Sequence, residues 1–138
     1  MEEQLISFET AKLAKEKGFN IPVRYGVYGK NMKLTENHGW EKNKKLELRN
    51  WNTPKAKSYS IPTQSLLQKW LREEHGIFIL ITNKRGESPM SFYYYWLAYK
   101  CGEVKYEKVG MSKTGCKISS YERALRQALK AALKSIEL

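Results

Sequence analysis

The clearest hydrophobic pattern lies in the second half of the chain, where it predicts a helix, three strands and another helix. Apolar residues recur at helical spacing between Pro62 and Gly76, and a proline in the first turn with a glycine after the last turn is typical of a helix. Apolar and aromatic runs then predict strands at residues 77–82, 91–100 and 104–109. The first of these, IFILIT, is apolar throughout, so we expect it to be central or covered on both faces.

The last helix presents an apolar face opposite a basic one. Ser119 and Glu122 have the spacing of a capping box, which predicts the start of the helix. Apolar residues from Leu125 onwards follow one face. The cations on the opposite face are Arg123, Arg126, Lys130 and Lys134. Residues 60–138 are therefore predicted to form an αβββα core, with an antiparallel meander of three or more strands and the helices packed on one face.

The first half of the chain has a weaker pattern. Ser7 and Gly18 are suitable end residues for a short helix, and residues 23–28 predict a strand that turns into another short strand. Residues 35–60 combine few apolar residues with an excess of lysine and arginine, which predicts a long basic loop containing one short strand. The length of 138 residues and the 41% hydrophobic content then predict that residues 1–138 form a single α+β domain of order αβ(ββ)-αβββα.

The charge balance favours a polyanionic partner. The 25 Lys and Arg residues exceed the 14 acidic residues, which gives a formal net charge of +11. Such an excess attracts nucleic acid, an acidic protein or an anionic membrane surface, although lysines that only maintain solubility give the same count. Most of the excess is lysine, which acts as a point charge, so nucleic-acid binding is expected to favour the backbone over the base sequence.

The sequence contains few residues in patterns suited to catalysis or metal binding. It therefore predicts no enzyme activity, no catalytic residue, no metal and no cofactor. Every acidic residue is Glu, whereas carboxylate clusters that hold catalytic cations usually include Asp. The segment Gly110–Lys117 approaches the spacing of a phosphate-binding loop, but Cys116 occupies the position where the pattern requires lysine. Cys101 and Cys116 form neither a disulfide framework nor a metal-ligand set. Neither His38 nor His75 belongs to a catalytic pattern, which needs a nucleophile, a base and an orienting group.

A basic surface on the last helix is the first candidate binding site. A row of cations one helical turn apart can contact successive phosphates, although the same row is also typical of the solvated face of an amphipathic helix. Two lysines just before the helix extend the row. The candidate nucleic-acid-binding residues are Lys113, Lys117, Arg123, Arg126, Lys130 and Lys134.

The aromatic strand is the second candidate binding site. One face of it carries Phe92, Tyr94, Trp96 and Ala98, and the other carries Tyr93, Tyr95, Leu97 and Tyr99. One face has to pack under the helices, and exposed aromatic side chains on the other are suited to stacking on unpaired bases. The alternative is that both faces belong to the core. We expect at least one or two of Tyr93, Tyr95 and Tyr99 to be accessible.

The helix–three strands–helix order of residues 60–136 resembles that of double-stranded-RNA-binding domains. Gly110, Ser112 and Lys113 are similar to the loop that precedes the second helix in that family. The family has a run of lysines at the start of this helix, which Gly115 interrupts here, so the resemblance concerns topology only.

A second resemblance rests on the segments Ile6–Phe19, Pro62–Gly76 and Ser120–Ile136. These segments resemble a group of small, uncharacterised proteins encoded by bacteriophages and prophages of gut bacteria. The resemblance implies phage origin and a location in the bacterial cytoplasm, and it implies no particular activity. The sequence also has no signal-peptide pattern and no apolar run that could span a bilayer, which favours the cytoplasm and reduced thiols.

These observations favour a small, non-enzymatic phage accessory protein that binds nucleic acid through its basic helical face. The alternative is a protein-binding module that inhibits or redirects a host protein, such as a defence factor. No membrane partner is expected, and the sequence makes no prediction of the oligomeric state.

Overall fold

The described residues form an α+β fold with two antiparallel three-stranded sheets, which confirms the predicted fold class. The computed structural model describes residues 4–29, 33–36, 48–55, 57–85, 92–102, 106–112 and 118–137. Its internal contacts divide the chain into two compact units, Leu5–Thr63 and Met1–Gln4 with Gln64–Leu138. None of the helices in the described residues is long and apolar enough to cross a membrane.

Each unit contains one of the sheets and at least one helix. The first unit contains α1 (Phe8–Glu16), β1 (Tyr25–Tyr28), β2 (Leu34–Glu36) and β3 (Ser58–Ile61). The second contains α2 (Gln64–His75), β4 (Ile77–Arg85), β5 (Phe92–Cys101), β6 (Tyr106–Met111) and α3 (Tyr121–Lys134). The second unit therefore has the αβββα order that the hydrophobic pattern predicts.

Helix α1 begins and ends at the predicted residues. The Ser7 hydroxyl accepts a hydrogen bond at 3.3 Å from the backbone N–H three residues further on, which caps the first turn. Gly18 has a φ of +91°, and the N–H of Phe19 donates to the carbonyl of Ala14 at 2.9 Å. These are features of a Schellman ending, which requires a residue that tolerates the left-handed conformation.

The sheet of the first unit has the order β2-β1-β3, and β3 lies where the sequence predicts the end of a basic loop. The strand was hidden because Ser58 and Ser60 are buried polar residues. The Ser58 hydroxyl donates to the carbonyl of Trp51 at 2.7 Å, and the N–H of Trp51 donates to the Ser60 hydroxyl at 2.9 Å. Residues 37–47 of the predicted loop lie outside the described residues, and for them the loop stays a prediction.

The core of the first unit is built on an indole that lies against a glycine. Trp51 is 1% exposed, and a Cβ placed on Gly26 of β1 would overlap its ring atoms. Tyr28 packs edge-on to the same indole with ring centroids 5.8 Å apart, and the Arg49 guanidinium lies 4.7 Å from its centroid. The close approach of Trp51 to β1 therefore requires glycine at position 26.

We expect Gly26→Ala to lower the free energy of unfolding by about 3 kcal/mol or more, because the added methyl group overpacks a buried ring. Gly18→Ala is the matched control, since nothing lies within 4 Å of its added Cβ. The free energy of unfolding of that variant should fall by only about 1–2 kcal/mol, which is the cost of a left-handed backbone for a residue with a Cβ. Urea unfolding measures both variants, and equal losses would contradict the packing of Trp51 on Gly26.

The sheet of the second unit is the meander β4-β5-β6, with β5 in the centre. Helix α3 contacts all three strands, and α2 contacts α3 and β4. The buried residues between sheet and α3 include Trp96, Ala98 and Ala128. Strand β4 continues three residues beyond its predicted end to Arg85, because residues 83–85 pair with the start of β5.

The ends of α2 and α3 test the capping predictions. Gly76 follows the last residue of α2 with a φ of +63°, as predicted. The prediction of Ser119 as the cap of α3 is wrong by one residue, because the Ser120 hydroxyl accepts the hydrogen bond from the N–H of Arg123 at 3.2 Å. Glu122 is consequently the second helical residue, where its charge favours the positive end of the helix dipole.

Candidate nucleic-acid interface

Helix α3 holds a row of cations away from the core. Its buried side consists of Ala124, Leu125, Ala128, Leu129, Ala132 and Leu133. On its other side, Arg123, Arg126 and Lys134 are exposed and Lys130 is partly buried. Spacings of three and four residues place these four cations along one side of the helix. We call them the α3 basic row. Lys113 and Lys117, which the sequence adds to this site, lie outside the described residues.

The exposed members of the α3 basic row are available to an anion. Within the part of the chain that the structure describes, Arg123, Arg126 and Lys134 form no ion pair with a carboxylate. Ion pairs do form elsewhere, for example between Arg24 and Glu36 at 3.2 Å. Because α3 is already folded against the sheet, the backbone that carries these cations does not have to be ordered when they contact phosphates.

The sheet of the second unit has a second face that α3 does not cover, and we call it the open face. Its residues include Phe78, Leu80, Thr82, Tyr93, Tyr95, Leu97, Tyr99, Lys108 and Met111. Phe78, Leu80 and Met111 are 45%, 49% and 46% exposed. Tyr93, Tyr95 and Tyr99 are each partly exposed, as the sequence predicts for at least one or two of them.

The open face corrects the prediction for residues 77–82. That apolar run predicts a strand that is central or covered on both faces, but β4 lies at an edge of the sheet and its Phe78 and Leu80 are exposed. An apolar run contains no alternation that distinguishes a covered face from an open one. Phe78, Leu80 and Met111 are therefore surface residues that sequence reasoning missed.

The residues considered for catalysis are not assembled into a site in the described structure. The His75 ring packs edge-on to that of Trp70, with centroids 4.6 Å apart, and Cys101 is a free, partly buried thiol. His38 and Cys116 lie outside the described residues. Among the residues that the structure describes, no group of three or more His, Cys, Asp or Glu side chains is placed to hold a metal ion.

The surroundings of His75 at the end of α2 shift the pKa of its imidazole. Burial lowers its pKa below the usual 6.5, Glu74 opposes this shift, and Lys100 adds to it. The neutral ring is therefore favoured in the folded protein. Well above pH 6.5 both the folded and the unfolded chain hold a neutral His75, and as the pH falls the unfolded chain takes up the proton more readily.

We expect the folded protein to lose stability through His75 as the pH falls below 6.5. Two variants are compared. His38→Gln retains His75 as its single histidine, and His38→Gln/His75→Gln has no histidine. Urea unfolding at about pH 8 and about pH 5 should show a steeper loss of stability for the chain that retains His75. Parallel losses in the two chains would contradict the shift.

Comparison of the chain with protein-family models, curated proteins and solved structures finds no match. The likeness to phage proteins and to double-stranded-RNA-binding domains therefore stays a prediction. Function has to be argued from the two surfaces of the second unit.

Proposed function

We propose that this protein binds nucleic acid, without strong sequence preference, through the α3 basic row. In this proposal it acts as a small, non-enzymatic phage accessory protein in the cytoplasm of the bacterial host. The observation that carries the proposal is the exposure of Arg123, Arg126 and Lys134 along one side of a helix whose other side is buried. The formal net charge of +11 supports it, because a positive field speeds the approach of a polyanion.

The chemistry of the α3 basic row favours phosphates over bases. Lysine offers a point charge, and arginine at a convex helix surface can form a paired contact with phosphate oxygens. Contacts to phosphate fix the position of a protein on a nucleic acid and carry no sequence information. Binding through this row should therefore depend strongly on salt and weakly on sequence.

A protein-binding module that inhibits or redirects a host protein, such as a defence factor, is the second candidate. The exposure of Phe78, Leu80 and Met111 on the open face favours it, because clustered apolar residues often mark protein contacts. Capture from a nuclease-treated host lysate separates the two functions. A partner that is held directly survives the nuclease, whereas one that is held through nucleic acid is lost.

Removing three charges from the α3 basic row should weaken nucleic-acid binding and reduce its dependence on salt. We expect Arg123→Gln/Arg126→Gln/Lys134→Gln to reduce the slope of log K against log salt concentration by about 2–3, since each phosphate contact contributes about 0.7–0.9. Fluorescence anisotropy with a labelled 20-mer across a salt series measures the slope.

The matched control is Lys33→Gln/Lys55→Gln/Lys57→Gln. It removes the same charge from three exposed lysines of the first unit. Its slope should match that of the unaltered protein. Equal reductions in both variants would show that net charge alone drives binding, and the absence of micromolar binding at low salt would refute the proposed function.

A further inference from the structure

We infer that the open face is a stacking surface for the unpaired bases of single-stranded nucleic acid. The inference deepens the proposed function by naming the form of nucleic acid that the protein takes. The open face and the α3 basic row lie on opposite sides of the second unit, because α3 packs on the sheet face that carries Trp96. The two surfaces can therefore be altered separately.

Strand register places the residues of the open face in rows across the sheet. Phe78, Tyr99 and Lys108 are cross-strand neighbours, and so are Leu80, Leu97 and Met111. Thr82 lies opposite Tyr95 in the next row. Successive rows are about 7 Å apart, since alternate residues of a strand are separated by two rises. The face is thus long enough for more than one base.

The side chains of the open face suit the flat surface of a base. Phe78 is 45% exposed, and Tyr95 and Tyr99 are partly exposed around an apolar centre formed by Leu80 and Met111. Aromatic rings on a sheet stack on any base, because every base has a π-face. Bases inside a duplex already stack on one another, so only a single strand can present them.

Charge distinguishes a single strand from a second copy of the chain as the occupant of the open face. A second copy of the chain would bring another +11 of net charge, and this repulsion opposes self-association. A nucleic acid supplies both an apolar base and a neutralising phosphate. The Lys108 ammonium donates to the Met111 sulfur at 3.4 Å, so a cation lies beside the apolar centre, where a phosphate next to a stacked base can reach it.

The experiment compares four labelled polymers by fluorescence anisotropy: dT20, an abasic 20-mer with the same phosphates, the dT20·dA20 duplex and rU20. We expect dT20 to bind at least about fivefold tighter than the abasic polymer, because each stacked base contributes substantially. The duplex has no unpaired base to present, so its affinity should be the same for Phe78→Ser as for the unaltered protein. The rU20 arm shows whether the stacking surface accepts RNA as well as DNA. Equal affinity for dT20 and the abasic polymer would overturn the inference.

Phe78→Ser tests an aromatic side chain of the open face that is 45% exposed. It should lose about fivefold or more in affinity for dT20 and nothing for the abasic polymer. Phe78→Trp retains a ring and should retain the preference. The matched control is Leu34→Ser in the first unit, since Leu34 is also an exposed apolar residue, at 44%. Circular dichroism verifies that each variant is folded, and unchanged dT20 binding by folded Phe78→Ser would contradict the inference.

The outcomes separate this inference from the proposed function. If all four polymers bind alike, the open face is not a stacking surface and the phosphate-binding function stands. If dT20 is preferred but Arg123→Gln/Arg126→Gln/Lys134→Gln changes nothing, only the role of α3 fails. If no polymer binds at low salt, both fail. Loss of a dimer, or of a captured host protein, in Phe78→Ser without a change in dT20 binding would assign the open face to that partner instead.

Discussion

Both surfaces of the second unit depend on the packing of Trp96. Its indole lies against Gly110 of β6, where an added Cβ would be 3.0 Å from the ring, and its N–H donates to the Gln127 side chain of α3 at 3.3 Å. This arrangement fixes α3 over one face of the sheet. Because successive side chains of a strand point to opposite faces, burial of Trp96 turns Tyr95 and Leu97 to the other face. The cations of α3 and the apolar residues of the open face are therefore both positioned by one indole.

The net charge and the open face have opposite effects on association between copies of this protein. Exposed apolar residues on a sheet promote association between copies of a protein, and among the described strands β4 and β6 are the edges of this sheet. A formal net charge of +11 opposes that association. In the proposed function, the same charge favours binding of a polyanion. An apolar face and a basic composition together fit a ligand that is anionic and carries flat apolar groups.

Features that depend on neighbouring residues alone could be predicted from the sequence, and the ends of two helices are examples. The ends of α1 and α2 follow from Gly18 and Gly76, since a left-handed glycine after a helix is a property of the neighbouring residues alone. Strand β3 was not predicted because its buried Ser58 and Ser60 are polar, and their hydroxyls form hydrogen bonds with Trp51, seven and nine residues away along the chain. Such pairings depend on tertiary structure, which hydrophobic periodicity does not contain.

The α3 basic row could be predicted from the sequence, whereas the open face could not. The α3 basic row follows from helical periodicity, because a helix with one apolar stripe has to turn its cations outward. The open face depends on which side of the sheet α3 covers, and the apolar run that contains Phe78 and Leu80 does not contain that information. The surfaces also require different features of a ligand. A duplex or an abasic polymer offers only phosphates, and a single strand offers phosphates and bases. Salt dependence therefore reports on the helix, and preference for a single strand reports on the sheet.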